Sequence, residues 1–107
     1  MIKINGETWE IYLVSPHHSM LRTPDGSFTL GSCDVRYHTI YINKNLNSQK
    51  MKQVLCHEIT HAAMFSYDIN LTSKQEELLA DLIATYGQEI VKTTNEFFSK
   101  LNKRNTY

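Results

Sequence analysis

Hydrophobic and polar positions change their spacing once along the chain, near Leu46. Before that point the period is two. Thr8–Val14, read TWEIYLV, alternates and is rich in β-branched and aromatic residues, which predicts a strand. The segment SPHHSMLRTPDGS then brings two prolines and an Asp-Gly, predicting an irregular loop with a turn at Pro24–Gly26. SFTLG reads as a short strand. Asp34–Asn43 reads as a longer one, with Val35, Tyr37, Thr39 and Tyr41 alternating against Arg36, His38, Ile40 and Ile42, paired with its predecessor in a hairpin.

Beyond Leu46 the period becomes that of a helix. Met51, Val54, Leu55, Ile59, Ala62 and Ala63 recur at three and four, with Asn47 or Ser48 able to cap the first turn. After a polar turn, Leu78, Leu79, Leu82, Ile83, Tyr86, Ile90, Val91, Phe97 and Leu101 form a second stripe. Gly87 is its weak point, an interruption is expected near Thr93, and the polar end NKRNTY is expected to fray. A β-rich half (1–46) followed by a helical half (47–104) defines an α+β fold, and 107 residues fit one domain.

Composition narrows the function classes. Lys plus Arg equals Asp plus Glu at 11 each, so no net field draws in nucleic acid or an anionic membrane. The N-terminal MIKINGETWEIYLV is too polar for a secretory signal and nothing approaches transmembrane length, so the expected location is cytoplasmic. Cys33 and Cys56 lack Cys-x-x-Cys spacing and are expected to be reduced. Trp9, Phe65, Phe97 and Phe98 are expected in the core.

The chemistry sits in LCHEITHAAM, Leu55–Met64. On a helix, His57 and His61 lie one turn apart and present two imidazoles to one point, the spacing of a bidentate zinc site. Glu58 lies about 100° round the helix, where a carboxylate can take a proton from water beside the ion. A catalytic zinc usually takes three protein ligands, and no histidine follows His61; Met64 and Tyr67 stand where an elongated motif wants Gly and His. The third ligand should then be a carboxylate. Glu76, Glu77 and Asp81 are available on the second helix. Ser73-Lys-Gln-Glu76 has the form of a capping box that would occupy Glu76, leaving Glu77 to coordinate and Asp81 to orient an imidazole through its outer N–H. The alternative is that all three carboxylates cover a solvated helix face.

His57-Glu58-Ile-Thr-His61 followed by Glu77-Leu-Leu-Ala-Asp81 resembles the gluzincin pattern, and more narrowly the small metallopeptidase-like proteins of phages and mobile elements related to the ImmA/IrrE family. HEITHA, EELLADLIA and LGSCDVRYHTIYIN carry the resemblance, which covers Ser27 to Gly87. It implies a minimal zincin: a small antiparallel or mixed sheet packed on an active-site helix and a C-terminal helix, with one Zn2+ held between the helices. It places ligation on His57, His61 and Glu77, the general base on Glu58 and an orienting role on Asp81, with a protein or peptide as substrate. The competing reading keeps zinc as a staple in a non-catalytic interaction module.

Other residues have plainer readings. His38 could contact substrate or an oxyanion if its strand borders the cleft, against a structural or surface role. Tyr37, Tyr41 and Tyr67 read as packing residues, His17 and His18 as loop residues without ligand geometry, and Cys56 as a small apolar group. The β-rich segment Asp34–Asn43 is expected to offer the cleft an edge for extended peptide.

Overall fold

Asn5 and Gly6 both take positive φ, 50° and 77°, the backbone of a two-residue type I′ turn. They fold Ile2–Ile4 (β1) back on Glu7–Val14 (β2). A computed structural model describes residues 1–104 and shows this hairpin, of which the sequence predicts only the second strand. β2 runs parallel to Thr39–Asn43 (β4), which pairs antiparallel with Gly31–Asp34 (β3). The sheet is therefore mixed, in the order β1-β2-β4-β3, with β3 on an edge.

Two strand expectations are corrected. β3 begins at Gly31, and the SFTLG region before it is irregular apart from an Arg22–Phe28 bridge. The expected strand Asp34–Asn43 is instead the end of β3, a turn, and β4. The Asp34 carboxylate accepts the Arg36 N–H at 3.0 Å, bending the chain in an Asx turn, and His38 completes the reversal at φ 48°.

Ser48–Ser66 (α1) starts at Asn47, whose Oδ1 accepts the Lys50 N–H at 2.8 Å. Its inner face packs Val54, Leu55, Ile59 and Ala62 on Trp9, Ile40 and Ile42 of the sheet, which fixes the helix beneath β3 and β4. Ser73–Leu82 (α2) follows. Its capping box is Thr72 with Gln75, reciprocal at 3.2 and 3.0 Å, not the expected Ser73 with Glu76.

The second helical stretch breaks at Ile83–Gly87, one turn of π-helix ending on the weak glycine, rather than near Thr93. Gln88–Arg104 (α3) continues directly from that π turn. α3 carries Phe97 and Phe98 away from the sheet and leaves them exposed, Phe65 in the last turn of α1 is exposed as well, and of the four expected core aromatics only Trp9 is buried. Of the expected frayed end, residues through Arg104 are helical, and 105–107 lie outside the described residues.

Candidate metal centre

α1, which lies on the sheet, packs against α2, and their facing turns converge on one point. His57 Nε2 and His61 Nε2 stand 3.1 Å apart. Glu77 reaches both, with Oε1 2.9 Å from His61 Nε2 and Oε2 3.3 Å from His57 Nε2. Among the described residues these three are the group able to surround an ion. Bonds of about 2.0–2.1 Å in a tetrahedral zinc site put neighbouring ligand atoms about 3.3 Å apart, so two nitrogens and a carboxylate at these separations fit zinc.

Each imidazole is held from behind. His57 Nδ1 lies 3.0 Å from Asp81 Oδ1, and His61 Nδ1 lies 2.7 Å from Glu76 Oε1. A carboxylate on Nδ1 favours the proton there and turns the Nε2 lone pair toward the shared point. The expectation that a capping box occupies Glu76 is corrected: its carboxylate faces the second histidine instead. The signal was present, because Thr72-Ser-Lys-Gln75 fits a box equally well one residue earlier and leaves a carboxylate for each ring.

Glu58 lies on the floor of the cleft, 6% exposed, and its Oε2 has no hydrogen-bond partner among the described residues. Burial raises its carboxyl above the usual range, the two neighbouring imidazoles oppose that rise, and Glu77 adds to it. A buried carboxylate oxygen without a partner is costly by itself. A cation and a water in front of it would relieve that cost, so the orphaned oxygen supports the same donor set.

β3 forms the other wall. A Cβ on Gly31 would lie 2.7 Å from Val54 Cγ1 and 3.1 Å from Glu58 Cγ, so the strand sits on α1 as closely as glycine allows. The Leu30 carbonyl accepts the Asn43 N–H at 2.9 Å. By antiparallel alternation the peptide groups of Gly31 and Cys33 therefore point away from β4, toward the free edge. Two cavities lie between this edge and α2. One of about 340 Å³ is bordered by Gly31, His57, Glu58, Glu77 and Asp81, and one of about 270 Å³ by Cys33, Val35, Glu58, His61 and Glu77. The expected cleft edge, Asp34–Asn43, is corrected: β4 is interior to the sheet, and β3 borders the site.

His38 is not in this cleft. It sits in the β3–β4 turn, stacked on Trp9 with centroids 4.4 Å apart, and 3.4 Å from a Glu7 carboxylate oxygen. It covers the core tryptophan, and the expected oxyanion contact does not arise from this position. His18 caps a 3-10 turn through Nδ1, and His17 meets Phe28 edge-on. Burial, with the carboxylates of Glu58, Asp34 and Glu76, pushes the Cys33 thiol up to about 12.

A small mixed sheet on two helices, with a His-Glu-x-x-His helix facing a carboxylate helix, defines a zincin-like α+β domain. Residues 17–100 match the peptidase family described as the IrrE N-terminal-like domain, and the chain belongs to that family. A metallopeptidase-like function follows at that level. No curated protein and no solved structure matches the chain.

Proposed function

We propose that the protein is a zinc-dependent endopeptidase that hydrolyses a peptide bond in a cytoplasmic protein, with His57, His61 and Glu77 holding one zinc ion. The observation that carries this is the unpartnered buried oxygen of Glu58 beside three converging donor atoms. Zinc, when bound, supplies Lewis acidity: it brings the pKa of water toward about 7 and polarises a carbonyl. Glu58 takes the proton from the attacking water and returns it to the leaving amine, a role suited to a carboxyl held above its usual range. Asp81 and Glu76 keep the two imidazoles turned inward. The free peptide groups of Gly31 and Cys33 pair with an extended backbone and lay the scissile amide over the site. A regulator of a phage or mobile element is the substrate this reading favours, supported by the resemblance of HEITHA and EELLADLIA to the small proteins of such elements.

The same geometry would serve a zinc staple between α1 and α2, a reading favoured by a core in which the large, fully buried side chains among the described residues are Trp9, Leu21, Ile40 and Ile42. Glu58→Gln separates the two. Cleavage of a denatured protein mixture by the zinc-loaded wild type, lost at least about a hundredfold in Glu58→Gln while metal content and melting temperature persist, is the expected result. Cleavage undiminished in Glu58→Gln would overturn the assignment.

A further inference from the structure

Beyond His61 the cleft continues into a cavity of about 300 Å³ whose apolar walls come from three parts of the chain. Val35 enters from the β3–β4 turn, Met64 and Phe65 from the last turn of α1, and Ile69 and Leu71 from the α1–α2 connection. It is continuous with the catalytic cleft, because Val35, His61 and Glu76 also border the cavity that contains Glu58 and Glu77. Met64 is buried, whereas Ile69 and Leu71 are 48% and 39% exposed. Their connection is held in place: Ile69 N–H donates to the Met64 carbonyl at 2.9 Å and Asp68 N–H to that of Phe65 at 3.1 Å, with Asp68 at φ 54°. Two apolar side chains are thus held partly exposed against a prepared hollow, an apolar patch of the kind that lines a ligand-binding groove.

What covers them follows from the strand edge. β3 runs from Gly31, beside Val54 and Glu58, toward Val35, beside His61. Antiparallel pairing is the more stable per residue, so a peptide added to this edge has its amino-terminal part at Val35. A side chain there, on the amino side of the scissile bond, reaches the hollow. The ionisable groups around it are His61, Asp68 and Glu76. His61 and Glu76 are bonded to each other, and the two carboxylates repel an acidic side chain.

We infer that this cavity is the specificity subsite of the cleft, taking an aliphatic or aromatic side chain from the amino side of the scissile bond, with Ile69 and Leu71 setting the preference. The inference rests on the peptidase reading above.

Hydroxamates test it without a known substrate. Zinc-loaded protein is titrated by calorimetry with acetohydroxamate and with acetyl-dipeptide hydroxamates bearing Gly, Leu, Phe, Lys or Glu at either position. Leu or Phe at one position should bind about tenfold or more tighter than Gly, and Glu weaker than Gly. In Ile69→Ser/Leu71→Ser that advantage, taken relative to acetohydroxamate on the same protein, should fall to the Gly level. Acetohydroxamate binding with no side-chain preference, or with Lys or Glu preferred, would overturn the subsite and leave the metal site standing. Failure of acetohydroxamate itself to bind would remove the peptidase reading and the subsite together.

Discussion

The carboxylates of this site do three different jobs, and neighbours decide which. Glu77 faces two Nε2 atoms, Glu76 and Asp81 each face one Nδ1, and Glu58 faces none. Removing an orienting carboxylate while keeping its shape should weaken zinc binding about 10–100-fold, in Glu76→Gln and in Asp81→Asn alike, measured by competition with a chromophoric chelator. Glu58 makes a separate, metal-free prediction. Its folded pKa is raised by burial, so the folded state binds the proton more tightly than the unfolded state does. The stability this contributes is present at low pH and is lost as pH rises through the folded pKa, starting from the ordinary carboxylate range. At pH 7 the zinc-free Glu58→Gln protein should therefore melt above the zinc-free wild type, and the gap should vanish near pH 4. Equal melting temperatures at both pH values would mean that the buried carboxylate carries no such penalty. Cys33, pushed up to about 12, should stay unreactive toward iodoacetamide at pH 8 in the folded protein.

Among elements, the contact between β3 and α1 is the tightest constraint on the cleft. Gly31→Ala forces a methyl into Val54 and Glu58, and overpacking of this kind costs about 1–3 kcal/mol. Chemical denaturation should show that loss, and Gly31→Ala/Val54→Ala should recover part of it, because the nearest clash is with Val54 Cγ1. Full additivity of the two single changes would place the strain elsewhere.

The sequence makes this level partly legible. α1, with its Asn47 cap and both histidines on one face, follows from hydrophobic period and capping chemistry alone. β1 is missed because three residues before an Asn-Gly offer too little alternation, although Asn-Gly is itself a hairpin signal. The edge strand is misplaced because alternation runs unbroken through Asp34–Asn43, while the Asx turn that cuts it depends on one Asp34 hydrogen bond. Glu76 is misread because two overlapping capping boxes fit the same letters, and only the position of His61 across the cleft distinguishes them.

At the scale of the whole molecule the chain is elongated, 61 × 32 × 27 Å, with a radius of gyration of 16.7 Å against about 13 Å for a compact chain of this length. α3 accounts for the difference, projecting from the π turn with Ile90, Val91, Phe97 and Phe98 exposed. No helix among the described residues is long and apolar enough to cross a membrane. Zinc held by His57, His61 and Glu77 would tie together α1 and α2, whose shared surface carries the acidic groups of the site. Free zinc at a hundred times its dissociation constant should thus stabilise the fold by about 2.7 kcal/mol, seen as a rise in melting temperature that a chelator reverses.

The most direct measurement is zinc content per chain, by elemental analysis of protein purified without a chelating tag, for wild type beside Glu77→Gln and Glu76→Gln. About one zinc per wild-type chain, lost in Glu77→Gln and retained more weakly in Glu76→Gln, is the predicted result. A wild-type chain that carries no zinc and takes up none when it is supplied would contradict the account at its centre.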